Sequence, residues 1–429
     1  MKRGVLLSLF WVLCFAALGL AAEGAPTAKL EGGDTAWVLI SSALVALMTV
    51  PGLALFYGGL TKQKATLNTM FMSFLAFAVV SILWNLYGYT LAFKGDWKGL
   101  VGTFELIFAY PSLEALNNTI PEILFSFFQL TFGAITVALI SGALIERMNF
   151  TGWLLFSVLW FSLVYVPVAH WVWGGGFLGK WGALDFAGGT VVHINAGIAA
   201  LLGALFLKPR KEPILKPHNL TLVALGTGLL WFGWFGFNGG SALSANALAA
   251  VALLNTNTAT ATAALSWMFV EWIWTKRPTL LGFCSGAVAG LVAITPAAGF
   301  VSPISSILIG FVAGIVPYFA VAKIKPALGY DDALDVFGIH GVAGILGALL
   351  TGVFADPAIN SAGKGLIAGN AYQVWVQFLS IIVVILYNLV ITSLIFLVLK
   401  VLGILKVSEE VEVSGLDLAL HGEKPYEID

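Results

Sequence analysis

Charge is scarce in this chain. Asp, Glu, Lys and Arg make up 10% of its 429 residues, against about 25% in an average soluble domain, too few to cover a water-facing surface of that size. Cysteine is nearly absent. Cys14 and Cys284 are the two present, each in an apolar run, which excludes a disulfide framework. The chain also lacks HExxH, a G-x-S-x-G with triad partners, a phosphate-binding P-loop and a dinucleotide fingerprint. Gly174-Gly175-Gly176 has no Lys-Ser/Thr after it and does not cradle phosphate. Common hydrolytic and redox enzymes are thereby excluded, and neither enzymatic activity nor a cofactor is expected. A net charge of −1 and the lack of a basic aromatic patch give no reason to expect nucleic acid.

Apolar length is what the chain has in abundance. Hydrophobic residues make up 59% and the mean hydropathy is +0.95, the composition of a polytopic membrane protein in contact with lipid. Residues 1–22 have a basic start, a short apolar run and small residues near the end. They read as a cleavable signal peptide, with an uncleaved signal-anchor as the rival. Eleven further hydrophobic segments follow, at roughly 35–59, 67–93, 121–144, 150–171, 190–207, 219–237, 246–274, 279–297, 304–322, 337–355 and 371–400. Each is long enough to be read as a transmembrane helix. With the mature N-terminus outside, 14 Lys and Arg fall on the inner side and 5 on the outer. That bias places the C-terminus in the cytoplasm, in a cell inner (cytoplasmic) membrane. The loop 95–120 is expected to hold a short helix, and 208–218 reads as a basic linker. The tail 407–429 mixes acidic and apolar residues, which argues for docking rather than solvation.

Two histidines stand deep in hydrophobic runs, His193 in TVVHINAGI and His340 in FGIHGVAGI. An ionisable ring at bilayer depth is costly and usually faces a pathway or a polar partner. Both are followed at the same offset by Ala-Gly-Ile, and an acid lies eight positions before each, Asp185 and Asp332. One element used twice explains this spacing. Five spans per copy is an odd number, so the second copy enters the membrane inverted: 35–207 forms the first half, 219–355 the second, and 371–400 a last helix outside the repeat. The expected fold class is therefore an all-α polytopic membrane protein of eleven transmembrane helices, with an inverted repeat of two five-helix halves plus a final helix. Two histidines fall short of the three or four protein ligands usual for zinc, so no metal site is expected.

Aromatic residues are the second signal. Phe128 and Phe132 sit four apart and share a helix face. Trp231, Trp234, Phe235 and Phe237 crowd the end of the sixth segment just before Ser241, and Trp173 lies at the outer end of the fourth. Taken singly, such residues are ordinary interface belt. Together, aromatic faces and a hydroxyl suit a small cation. A narrow apolar passage rejects a dehydrated ion, but ammonium escapes by shedding a proton, which paired imidazoles can carry.

The chain resembles the ammonium transporter family (Amt/Mep/Rh), bacterial Amt branch, through PGLALFYGGL at 51–60, FQLTF at 128–132, SGALIER at 141–147 and AHWVWGGG at 169–176. GALDFAGGTVVHINAG at 182–197, GWFGFNGGSA at 233–242, SGAVAGLVAITPAAG at 285–299 and DVFGIHGVAG at 335–344 extend the resemblance. It implies a homotrimer with one pore per subunit and a membrane domain over 23–406. Substrate binding at an outer ammonium site is implied for Trp173, Ser241 and Phe132, a pore gate for Phe132 and Phe237, and a proton relay along the pore for His193 and His340. Asp185 is implied to give structural or deprotonation support near that site. The tail resembles the segment lying beneath the docking surface for PII-type nitrogen regulatory proteins. The implied activity is transport of ammonium or ammonia, in the context of nitrogen metabolism and membrane lipids. A sensor signalling through the tail and an electroneutral ammonia channel remain the alternatives.

Overall fold

The computed structural model describes residues 29–213 and 216–426; the expected signal peptide lies outside them. Apart from one short hairpin, the regular elements of the described residues are helices. Ten helices are long and apolar enough to cross a membrane: α1 Gly32–Leu60, α2 Gln63–Phe93, α3 Glu122–Leu144, α4 Phe150–Lys180, α5 Gly189–Leu207, α6 Leu220–Gly240, α7 Ala247–Thr275, α9 Pro303–Leu328, α10 Phe337–Phe354 and α11 Tyr372–Val401. Between α7 and α9 lies a shorter apolar helix, α8 Leu280–Ile294. The segment expected to span 279–297 thus ends its regular helix at Ile294 and continues in turns.

Burial ranks these helices. The most apolar window of α3 is 89% buried and that of α11 33%, so α3 is an inner wall and α11 a peripheral one. Small residues allow the close approaches, as expected where helices pack without a hydrophobic driving force between them. Gly286 and Gly290 of α8, and Gly310 and Gly314 of α9, rest on the backbone of α7 around Ala259 and Ala263. Helices α5 and α10 cross in the same way: a Cβ on Gly197 would strike the backbone of Gly341, and one on Gly344 would press on Gly189 and Ile194. The contact is reciprocal, because each glycine follows its own histidine by four residues and meets the residue after the other histidine.

Loop 95–120 differs from expectation. It contains no helix, and its end forms a hairpin, β1 Leu116–Asn117 pairing with β2 Ile120–Pro121. At the opposite face, residues 208–213 do more than link. Arg210 is buried and forks onto Asp331 through Nη2 to Oδ1 at 2.8 Å and Nε to Oδ2 at 2.9 Å, while Nη1 meets Glu146 at 3.0 Å. Burial opposes ionisation of Asp331, but Arg210 outweighs it and holds that carboxyl below its ordinary value. The basic linker read from the sequence is legible as charge, not as pairing.

The tail docks on its own chain. Ser408 caps α12 Glu409–Ser414, whose Glu412 accepts from the Lys211 amide at 2.6 Å. Asp417 accepts from the Leu67 and Asn68 amides at 3.0 and 2.8 Å, near the beginning of α2. The His421 ring packs on Phe71 and Phe150. Of the apolar residues spaced through this acidic segment, Leu416 is buried, whereas Val413 and Leu418 stay 50% and 60% exposed.

Candidate functional site

The site begins with a cavity of about 500 Å³ at the face bearing the hairpin, lined by Phe125, Gln129, Phe132, Trp173 and Ser241 among others. Three helices supply its chemistry. Phe132 comes from the middle of α3, Trp173 sits just after Val172 where α4 is interrupted before its final turn Phe177–Lys180, and Ser241 caps the end of α6. The sequence-predicted trio is therefore brought together. Its polar handles are already engaged. The Trp173 indole N–H donates to the Asp185 carbonyl at 2.8 Å, and the Ser241 hydroxyl donates to the Phe237 carbonyl at 2.7 Å. With its hydroxyl hydrogen engaged, Ser241 retains lone pairs as acceptors, and the Trp173 ring retains its π face. Acceptors and π faces favour a cation.

Beneath the cavity two aromatic rings lie face to face. Phe132 and Phe237 stack at 4.2 Å between centroids and 28° between planes, and both are buried. Phe128 packs edge-on to Phe132 at 4.9 Å, so the shared helix face places it beside the pair.

The histidines lie next. His193 and His340 are buried, their rings 5.2 Å apart and 20° from parallel, with Nδ1 to Nδ1 at 3.1 Å. At that distance one Nδ1 can donate a hydrogen bond that the other accepts, with the tautomers of the two rings setting which does which. The Trp234 ring lies against His193 at 5.3 Å and 15°, and its own N–H donates to Thr295 at 2.8 Å. His193 Nε2 has no protein partner among the described residues. The sequence reading missed Thr295 and the place of Trp234, since one tryptophan in an aromatic cluster carries no mark distinguishing it from interface belt.

Asp185 proves to be a helix cap. Its Oδ1 accepts from the amides of Gly188 and Gly189 at 2.9 and 2.6 Å, and its Oδ2 from Thr190 and Val191 at 2.9 and 3.0 Å. One side chain thereby satisfies four amides at the beginning of α5, the donors that a helix start leaves orphaned. Gly188 adopts φ +113 within this turn, and a Cβ there would meet Val192. Asp332 repeats the theme, accepting from the Phe337 amide at 2.7 Å as α10 begins. The eight-residue spacing from acid to histidine thus sets each imidazole just inside a capped helix.

This sequence and geometry can be compared with known proteins. The model of the Ammonium Transporter Family matches residues 36–426. The chain belongs to that family. It is 56% identical to an ammonium transporter of Aquifex aeolicus over 428 residues, covering 99% of this chain and 98% of the other. With an ammonium transporter of Bacillus subtilis it shares 50% identity over 93% of this chain and 99% of the other. The crystal structure of Candida albicans Mep2 superposes with a TM-score of 0.86 at 35% identity, covering 93% of each chain. The matched range contains the residues of the cavity, the stacked phenylalanines, the two histidines and the described part of the tail.

Proposed function

We propose that this family member transports ammonium nitrogen across a cytoplasmic membrane. Ammonium binds between the faces of Phe132 and Trp173 and the acceptor oxygen of Ser241, gives up a proton, and passes as ammonia between Phe132 and Phe237. The proton travels along His193 and His340. The observation that carries this reading is the 3.1 Å contact between the two Nδ1 atoms directly beyond a closed aromatic pair. Among common monovalent cations, ammonium sheds its charge by losing a proton, so an apolar passage with a proton-sharing element discriminates it from potassium. Asp185 serves as the structural support that fixes α5 and, through its carbonyl, Trp173.

The same proposal takes α8 as an eleventh crossing, which sets 35–207 and 219–355 in opposite senses; the reciprocal Gly197 and Gly344 contacts support such an inverted repeat. The cavity then faces outside and the tail the cytoplasm. A homotrimer and a PII-type partner at the tail face rest on the family resemblance. The deciding experiment is ammonium-evoked current in proteoliposomes. Current without a potassium response is the expected result. Flux without current identifies an electroneutral channel, and neither identifies a sensor.

Recruitment has its own test. Ser241→Ala and Trp173→Leu each remove about 0.5–2 kcal/mol of cation stabilisation, raising the half-saturating ammonium concentration by about 2- to 30-fold. Unchanged concentration dependence in both variants removes this site from the route. Deleting 407–429 leaves the spans assembled, because they hold most of the buried area, but it strips the Asp417 contacts from α2. Lower current or lost PII binding is expected in pull-down and flux assays, and full retention of both makes the tail dispensable.

A further inference from the structure

A second cavity, about 490 Å³, opens where α5 and α11 end and the tail begins. Its apolar floor is Phe206, Leu207 and Leu405, and four lysines line its polar rim: Lys208, Lys211, Lys400 and Lys406. One carboxylate, Glu409, stands among them and pairs with Lys211 at 2.5 Å; Glu412 reaches Lys406 at 3.0 Å from outside the lining. Lys208 and Lys400 make no ion pair or side-chain hydrogen bond among the described residues, and both are exposed. From its mouth, bare apolar surface runs along α11, where Leu394, Leu397, Val398 and Val401 are 53%, 47%, 46% and 79% exposed; on α5, Leu205, next to the lining residue Phe206, is 55% exposed.

We infer that this cavity is a binding site for the headgroup of an anionic phospholipid. The cationic rim suits a phosphate. What favours a lipid over a free anion is continuity: the cavity opens onto the helix faces that acyl chains cover in a membrane-spanning protein. The site also holds its own competitor. A phosphate on Lys211 displaces Glu409, a residue of α12, so the lipid reports to the helix that begins the docked tail. Nothing in this inference depends on what crosses the pore.

The test titrates purified full-length protein in neutral detergent with phosphatidylglycerol, phosphatidylcholine, soluble glycerophosphoglycerol or inorganic phosphate, reading the thermal unfolding midpoint. Phosphatidylglycerol is expected to raise the midpoint above the phosphatidylcholine value. Lys208→Gln with Lys400→Gln weakens this response by about tenfold in lipid concentration, whereas Glu409→Gln, which frees Lys211, strengthens it. The strengthening separates lost binding from lost folding. A control pair on the same face, Lys276→Gln with Arg277→Gln, leaves the response unchanged. Equal weakening by the control pair overturns the site in favour of diffuse surface charge. An equal response to glycerophosphoglycerol or phosphate overturns the lipid assignment, and an unaltered response in the double lysine variant overturns both.

Discussion

His340→Leu is expected to fold, assemble and lose ammonium-evoked current to the level of empty vesicles. Leucine fills much of the imidazole volume but can neither give nor take the proton shared at 3.1 Å. The passage stays dry, and charge movement stops. His193→Asp is expected to fail differently. A fixed carboxylate in place of the ring offers a counter-charge to an intact cation, so current persists while discrimination against potassium is lost. Current–voltage curves in ammonium and in potassium separate the two outcomes. If His340→Leu folds and still carries full, ammonium-selective current, the shared-proton mechanism is wrong for this protein.

Gly197→Ala is expected to be the most damaging single-methyl change at the helix crossing. The added carbon lands on the Gly341 backbone, which has no flexible end to swing aside. Overpacking of this kind costs about 1–3 kcal/mol or more, and relief requires α5 and α10 to separate, which also pulls the imidazoles apart. Gly344→Ala meets its neighbours at 3.1 Å or beyond and is expected to be tolerated with a smaller loss. Melting temperature and current should fall together in Gly197→Ala and fall little in Gly344→Ala. Equal behaviour of the two variants would show that the crossing does not set the histidine spacing.

Much of this architecture is legible before any coordinates. Long apolar runs mark the helices because lipid tolerates little else, and an imidazole inside such a run is conspicuous for the same reason. The repeated offset from acid to histidine was visible as a pattern, but its meaning was not. That Asp185 closes four amides depends on the turn through Gly188, which a one-dimensional spacing does not contain. Arg210 reads as part of a basic linker because its partners, Glu146 and Asp331, lie on other loops far away in sequence. Loop 95–120 reads as holding a short helix, whereas the chain there makes turns and a terminal hairpin, since moderately polar segments carry no periodicity strong enough to decide. Trp173 and Ser241 were legible as a pair, while the direction of their hydrogen bonds, which leaves a π face and an acceptor oxygen, belongs to the fold.

The stacked Phe132 and Phe237 rings have a kinetic consequence when set beside the glycine-locked crossing of α5 and α10. Transporters that rock one half against the other are paced by the slow movement of whole helices, in microseconds to milliseconds. Here the helices bearing the histidines touch backbone to backbone, and on the proposed route the obstruction is two side chains. Turnover on the proposed route is then clocked by how often a pair of aromatic rings parts. Its speed should respond to the bulk of those rings and hardly at all to the stiffness of the surrounding bilayer.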